Sequence, residues 1–105
     1  MRYLFLFVLI LCMGSLNAQS PDSFAIKQVD SLIGLAKNQI VKRDFDKALE
    51  IIAAAEKFTL ENLGSETPQY CNIIFARGSI NYSKGDYNEA EKWLFKTKEC
   101  REKNL

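Results

Sequence analysis

The sequence predicts an all-α fold of two tandem antiparallel helical hairpins, and three observations predict it. Lys42, Asp44, Ala48, Asn62 and Leu63 recur as Lys84, Asp86, Ala90, Asn104 and Leu105, each 42 residues on. Phe45/Tyr87, Ile52/Leu94 and Ala36/Gly78 match in size class at the same period. A fixed period in this range marks a stacked repeat array, an architecture that binds far more often than it catalyses. Second, apolar residues recur every three or four positions, and no segment sustains the alternation of a strand. Third, cap and turn residues punctuate the chain where hairpins need them.

The first residues stand apart from this pattern. Arg2 is a short basic start, residues 4–11 are continuously apolar, and small and polar residues follow as far as Ala18. Residues 1–18 therefore read as a secretory signal peptide, cut after Ala18. The alternative is an uncleaved anchor, but the apolar run is well short of the roughly 20 residues that span a bilayer. Cys12 has no run of small residues before it, which argues against a lipoprotein signal. Export to the periplasm or the exterior is expected, with no stable membrane insertion after cleavage. The mature chain, residues 19–105, divides into a lead-in (19–28), a first repeat unit with its linker (29–66) and a second unit (67–105).

Ser20-Pro21-Asp22 opens the first helix. Phe24, Ile26, Val29, Leu32, Ile33, Ala36 and Ile40 form its apolar side. Gly34 lies within it, where a small residue would let a neighbouring helix come close. Asp44 caps the second helix through its carboxylate. There Ala48, Ile52 and Ala55 share one face, and Leu49, Ile51, Ala53, Ala54 and Phe58 widen it, so this helix is expected between neighbours. It stops near Leu63-Gly64, with Gly64 in the left-handed position past the end. Thr67-Pro68 opens the third helix as N-cap and first helical residue. Ile73, Ile74, Ala76, Ile80 and Tyr82 supply its apolar residues, and Lys84-Gly85 closes it. Asp86 with Glu89 resembles a capping box for the fourth helix. Tyr87, Ala90, Trp93, Leu94 and Thr97 line its inner side.

Composition excludes several functions. Histidine is absent, which removes Ser-His-Asp and Cys-His catalysis and every histidine metal site. Two mature cysteines cannot close a thiolate zinc site, and no Gly-Lys-Ser/Thr phosphate loop occurs. Without Arg2 the 13 remaining basic residues balance 13 acidic ones, so nothing points to nucleic acid. Neither enzyme chemistry, cofactor nor metal is expected. Glu89 and Glu91 point to different sides of a helix and form no catalytic pair. The charged residues from Lys92 to Lys103 read as a solvated face with pairs such as Glu99–Lys103. Tyr87 and Trp93 could stack on a ligand, but packing is the expected role.

These residues resemble the tetratricopeptide repeat (TPR), in the 42-residue form found in kinesin light chains. Gly78, the Gly85-Asp86-Tyr87 turn and Ala90 carry the resemblance in the second unit, and Ala36, Phe45, Ala48 and Ala55 hold the equivalent places in the first. Leu63-Gly64-Ser65-Glu66-Thr67-Pro68 looks like the Leu-Gly-x-x-x-Pro linker. The resemblance covers residues 29–105. Arg77 departs from it where a large apolar residue is usual, Thr97 where Ala is, and Gln39 and Asn81 where Tyr is. Phe75 and Ala76 occupy the stretch where the long form often has a peptide-binding Asn.

The resemblance implies the start of a right-handed α-solenoid that binds a protein or peptide on the concave face of its first-in-pair helices. By repeat position that face comprises Asp30, Ile33 and Lys37 in the first unit, and Asn72, Phe75, Ser79 and Tyr82 in the second. The rival reading is a regulatory arm of a larger enzyme, a caspase-like peptidase or signalling kinase, with the chemistry beyond Leu105. Two units are few for an array, so a fragment of a longer array is expected. Self-stacking through the last helix is a further alternative. Cys71 and Cys100 fall at the same height on facing helices, on stripes that face each other. They are expected either to form a disulfide after export or to remain two small buried hydrophobes.

Overall fold

Cap chemistry divides the chain into four helices. In the computed structural model these are α1 (Ser20–Val41), α2 (Phe45–Asn62), α3 (Pro68–Lys84) and α4 (Tyr87–Lys103). The backbone is described for residues 20–104 and side chains for residues 23–104. The expected signal peptide, with Cys12, lies outside the described residues. No strand occurs among them. Helix α1 packs on α2 and α3 on α4, giving two hairpins, and α3 lies against both helices of the first pair.

Helix α1 runs without a break through the expected lead-in. Ala25, Val29 and Ala36 are its buried residues, and Leu32, Ile33 and Ile40 pack partly against the core. Phe24, expected inside, is exposed. It precedes Ala25 by one residue, about 100° around the helix, and Ala25 takes the inward position. Gly34 also differs from expectation. A Cβ there would meet nothing within 4 Å, so no helix uses the space.

Asp44 Oδ1 accepts from the Lys47 N–H at 3.1 Å and starts α2. Ala48, Ile52, Ala55 and Thr59 form its buried stripe, with Thr59 donating to the Ala55 carbonyl at 2.7 Å. Helix α2 lies between α1 and α3, but Ala53 and Ala54 are exposed, so it is covered on two sides rather than all round. The Leu63 and Gly64 N–H groups both reach the Thr59 carbonyl, and Gly64 takes φ 90°.

Thr67 Oγ1 accepts from the Tyr70 N–H at 3.3 Å and begins α3, with Pro68 in the first turn. This helix is buried on two sides. Ile73, Ala76 and Ile80 join the core of the first hairpin, and Cys71 and Gly78 face α4. A Cβ on Gly78 would stand 2.9 Å from Leu94 Cδ2, so the Leu94 side chain packs over the space left by the glycine. Tyr82, counted among the apolar residues of this helix, is exposed, its ring edge-on to Tyr87 at 5.2 Å. Both rings sit at the turn, beyond the core layers. In α4, Ala90 and Thr97 are buried and Trp93 is half-buried. Tyr87 and Phe95 are exposed.

The two interhelical turns superpose in their hydrogen bonds. The Arg43 and Asp44 N–H groups reach the Ile40 and Gln39 carbonyls, both at 2.9 Å. One period later the Gly85 and Asp86 N–H groups reach Tyr82 and Asn81 at 3.0 and 2.9 Å. Asp86 Oδ1 accepts from the Glu89 N–H at 3.4 Å, as Asp44 does from Lys47. The capping box is only half formed, because the Asp86 N–H is already committed to Asn81. Glu89 pairs instead with Lys92 at 3.8 Å. Glu99–Lys103 is not among the ion pairs of the described residues.

The turns differ at one residue. Both need a left-handed backbone, φ 63° at Arg43 and 93° at Gly85. A residue with a Cβ pays about 1–2 kcal/mol there. Arg43→Gly is expected to raise the denaturation midpoint, by up to about 1 kcal/mol after the entropy of a freer unfolded chain. Gly85→Arg is expected to lower it by about 1 kcal/mol or more. Urea titration of both variants measures this, and opposite signs are the expected result.

Cys71, in the first turn of α3, is bonded to Cys100, near the end of α4, with Cα atoms 5.6 Å apart. Asn104 covers the bridge, its amide nitrogen 2.8 Å from the Cys100 carbonyl and 3.4 Å from Cys71 Sγ. The bond closes the second hairpin across a separation of 29 residues. A loop of that size contributes about 3–4 kcal/mol in the chain-entropy account. Reduction, or the Cys71→Ala/Cys100→Ala double variant, is expected to lower Tm by more than about 10 °C, measured by circular dichroism with and without reductant.

Candidate functional site

A groove runs between α1 and α3. Its floor is apolar, formed by Ala36, Ile40, Ala76 and Ile80, residues that also belong to or pack on the core. Three positions of each helix supply most of its walls. Helix α1 contributes Asp30, Ile33 and Lys37, and α3 contributes Asn72, Phe75 and Ser79. The spacing is i, i+3, i+7 in both helices, so each triplet lies on one face. Each α3 residue is the period counterpart of an α1 residue. The groove encloses about 530 Å³.

Six of the seven residues expected on the concave face therefore line one groove. Tyr82 does not, because it lies beyond the groove against Tyr87. Two wall residues have no counterpart in the expectation. Gly34 leaves an opening on the α1 side. Arg101 reaches over from α4, its guanidinium carbon 4.9 Å from the centre of the Phe75 ring. Leu94, Thr97 and Arg101 follow one another at i, i+3, i+7, and that stripe is the signal that would have found Arg101.

Charge in the groove is mixed. Asp30 supplies one carboxylate, and Lys37 and Arg101 supply two cations. Asn72 and Ser79 offer an amide and a hydroxyl, and Ile33 and Phe75 offer apolar contact. Apolar side chains and directional polar groups thus stand side by side along the groove. Among the described residues no cluster of acidic and sulfur ligands is placed for a metal ion, and no helix is long and apolar enough to cross a membrane.

On the opposite side, Arg77 ties three helices together. Its Nη2 donates to Glu56 Oε1 of α2 at 2.8 Å, and its guanidinium lies 4.6 Å from the centre of the Trp93 ring on α4. Lys96 Nζ is 4.5 Å from the same ring. Pairing and stacking offset the partial burial of the Arg77 guanidinium, although its Nε is buried without a hydrogen-bond partner. Trp93 has a packing role here.

Tyr70 stands beside this group. Burial pushes its hydroxyl above the ordinary 10.0, the nearby Glu56 carboxylate adds to the rise, and Arg77 opposes it. The folded protein thus holds the Tyr70 proton more tightly than the unfolded chain does. The linked stability is fully present below pH 10 and is lost as pH rises through the folded-state value. Stability is expected to fall above about pH 10, and Tyr70→Phe is expected to remove this component of the fall. Urea midpoints between neutral and alkaline pH, compared for the two proteins, measure it. No family model matches this chain, and neither a curated protein nor a solved structure matches it.

Proposed function

We propose that this protein is an exported, non-enzymatic scaffold of the tetratricopeptide type that binds a protein or peptide segment in the α1–α3 groove. The carrying observation is the convergence of Asp30, Ile33, Lys37, Asn72, Phe75 and Ser79 on one groove. Repeat position alone selects those residues, and the 42-residue period is repeated in the hydrogen bonds of both turns. Two helices that present equivalent faces side by side suit an elongated ligand better than a compact one. Export is supported by the Cys71–Cys100 bond, which belongs to oxidising compartments, and by the signal-like residues 1–18.

The groove is tested by selecting peptides from a random-sequence phage library on the purified, oxidised protein. Asn72→Trp fills the groove from an exposed wall position and replaces no core residue. It is expected to weaken the selected peptides by about tenfold or more, the loss of a central anchor contact. Exposed Ala54→Trp on α2 is expected to leave them unchanged. Peptides indifferent to Asn72→Trp would place binding elsewhere. A mature N-terminus at Gln19, read by mass spectrometry, is the expected sign of export.

A further inference from the structure

The trough between α1 and α2 is filled by α3. Ile73, Ala76, Arg77 and Ile80 form the inserted face, and Arg77 is tied to Glu56 on the trough's edge at 2.8 Å. One period later α3 and α4 form the equivalent trough. Its residues include Phe75, Leu94, Thr97, Lys98 and Arg101, around about 350 Å³. Ile52 beneath α3 is 0% exposed, whereas Leu94, its counterpart, is 36% exposed. Phe75 is 42% exposed. Phe75 and Leu94 give the second trough an apolar lining, and no described helix lies in it.

Charge distinguishes the two troughs. The counterpart of Glu56 is Lys98, and the counterpart of Thr59 is Arg101. Glu102 corresponds to Leu60, which stays exposed with α3 in place and so lies outside the footprint. A helix seated like α3 would therefore meet a cation where α3 meets a carboxylate.

We propose that this outer trough docks an amphipathic helix of a partner protein, with an α3-like apolar face and an acidic residue in place of Arg77. A second copy of this chain fits poorly. The α1 residues that would enter the trough are Ser31, Gly34, Leu35 and Asn38, largely polar or small, and Leu35 would lie against Lys98. The trough opens on the other side of Phe75 and Arg101 from the α1–α3 groove, and these two residues are walls of both.

The probe is a labelled synthetic peptide with the sequence of α3, carrying Cys71→Ser and Arg77→Glu, titrated with the oxidised protein at low salt and followed by fluorescence anisotropy. It is expected to bind, to lose about fivefold or more in affinity against Lys98→Glu, and to leave Asn72→Trp unaffected. The same peptide with arginine restored is expected to prefer the Lys98→Glu protein. No binding at about 1 mM would overturn the proposal, as would affinity indifferent to the charge exchange. Loss of binding on Asn72→Trp would assign the peptide to the groove and overturn it too. Sedimentation showing the protein alone as a dimer that Leu94→Glu dissociates would give the trough to a second copy.

Discussion

Helix α3 must be buried on two sides at once, and the arrangement follows from that. Its Ile73–Ala76–Ile80 side needs an apolar trough, which α1 and α2 provide. Its Cys71–Gly78 side needs a close neighbour, which α4 provides. A helix with one apolar stripe would have left two independent hairpins, each too small to exclude much water from its own core. Because α3 is shared, its Ile73, Ala76 and Ile80 complete the core of the first hairpin while its other side closes on α4, and the groove opens where α3 lies beside α1. The groove is thus a by-product of core packing on its floor, while its walls are free to vary.

Much of this was legible in the sequence because it rests on local chemistry. Asp44, Thr67 and Asp86 cap their helices through side-chain oxygens three residues away, and Gly64 and Gly85 adopt the backbone that ends a helix. Such signals need no knowledge of distant contacts. The groove was legible through the period, since equivalent positions in stacked units face the same way.

What could not be read depends on tertiary contact. Arg77 and Glu56 are far apart in sequence, and no periodic rule pairs them. Phe24 and Ala25 both fit an apolar stripe, and only the position of the neighbouring helix decides which turns inward. Tyr82 occupies the place of Ile40, but at the end of α3 its larger ring finds Tyr87 instead of the core. Arg101 reaches the groove from α4, a helix assigned to the other side of the hairpin. Side-chain reach, not helix assignment, brought it there.

The Cys71–Cys100 bond lies wholly within the second hairpin, and this has a mechanical consequence. A pull applied at the start of α1 and the end of α4 cannot lengthen the segment between the cysteines while the bond is intact. A separation of 29 residues is removed from the extensible contour, about 100 Å of fully drawn chain. Tension falls instead on α1, α2 and their junction with α3, which no covalent cross-link protects. Under load the first hairpin is the compliant element and the second a rigid clasp. A partner gripping both α1 and α3 would therefore lose its α1 contacts first, while the α3 half of its footing stayed folded.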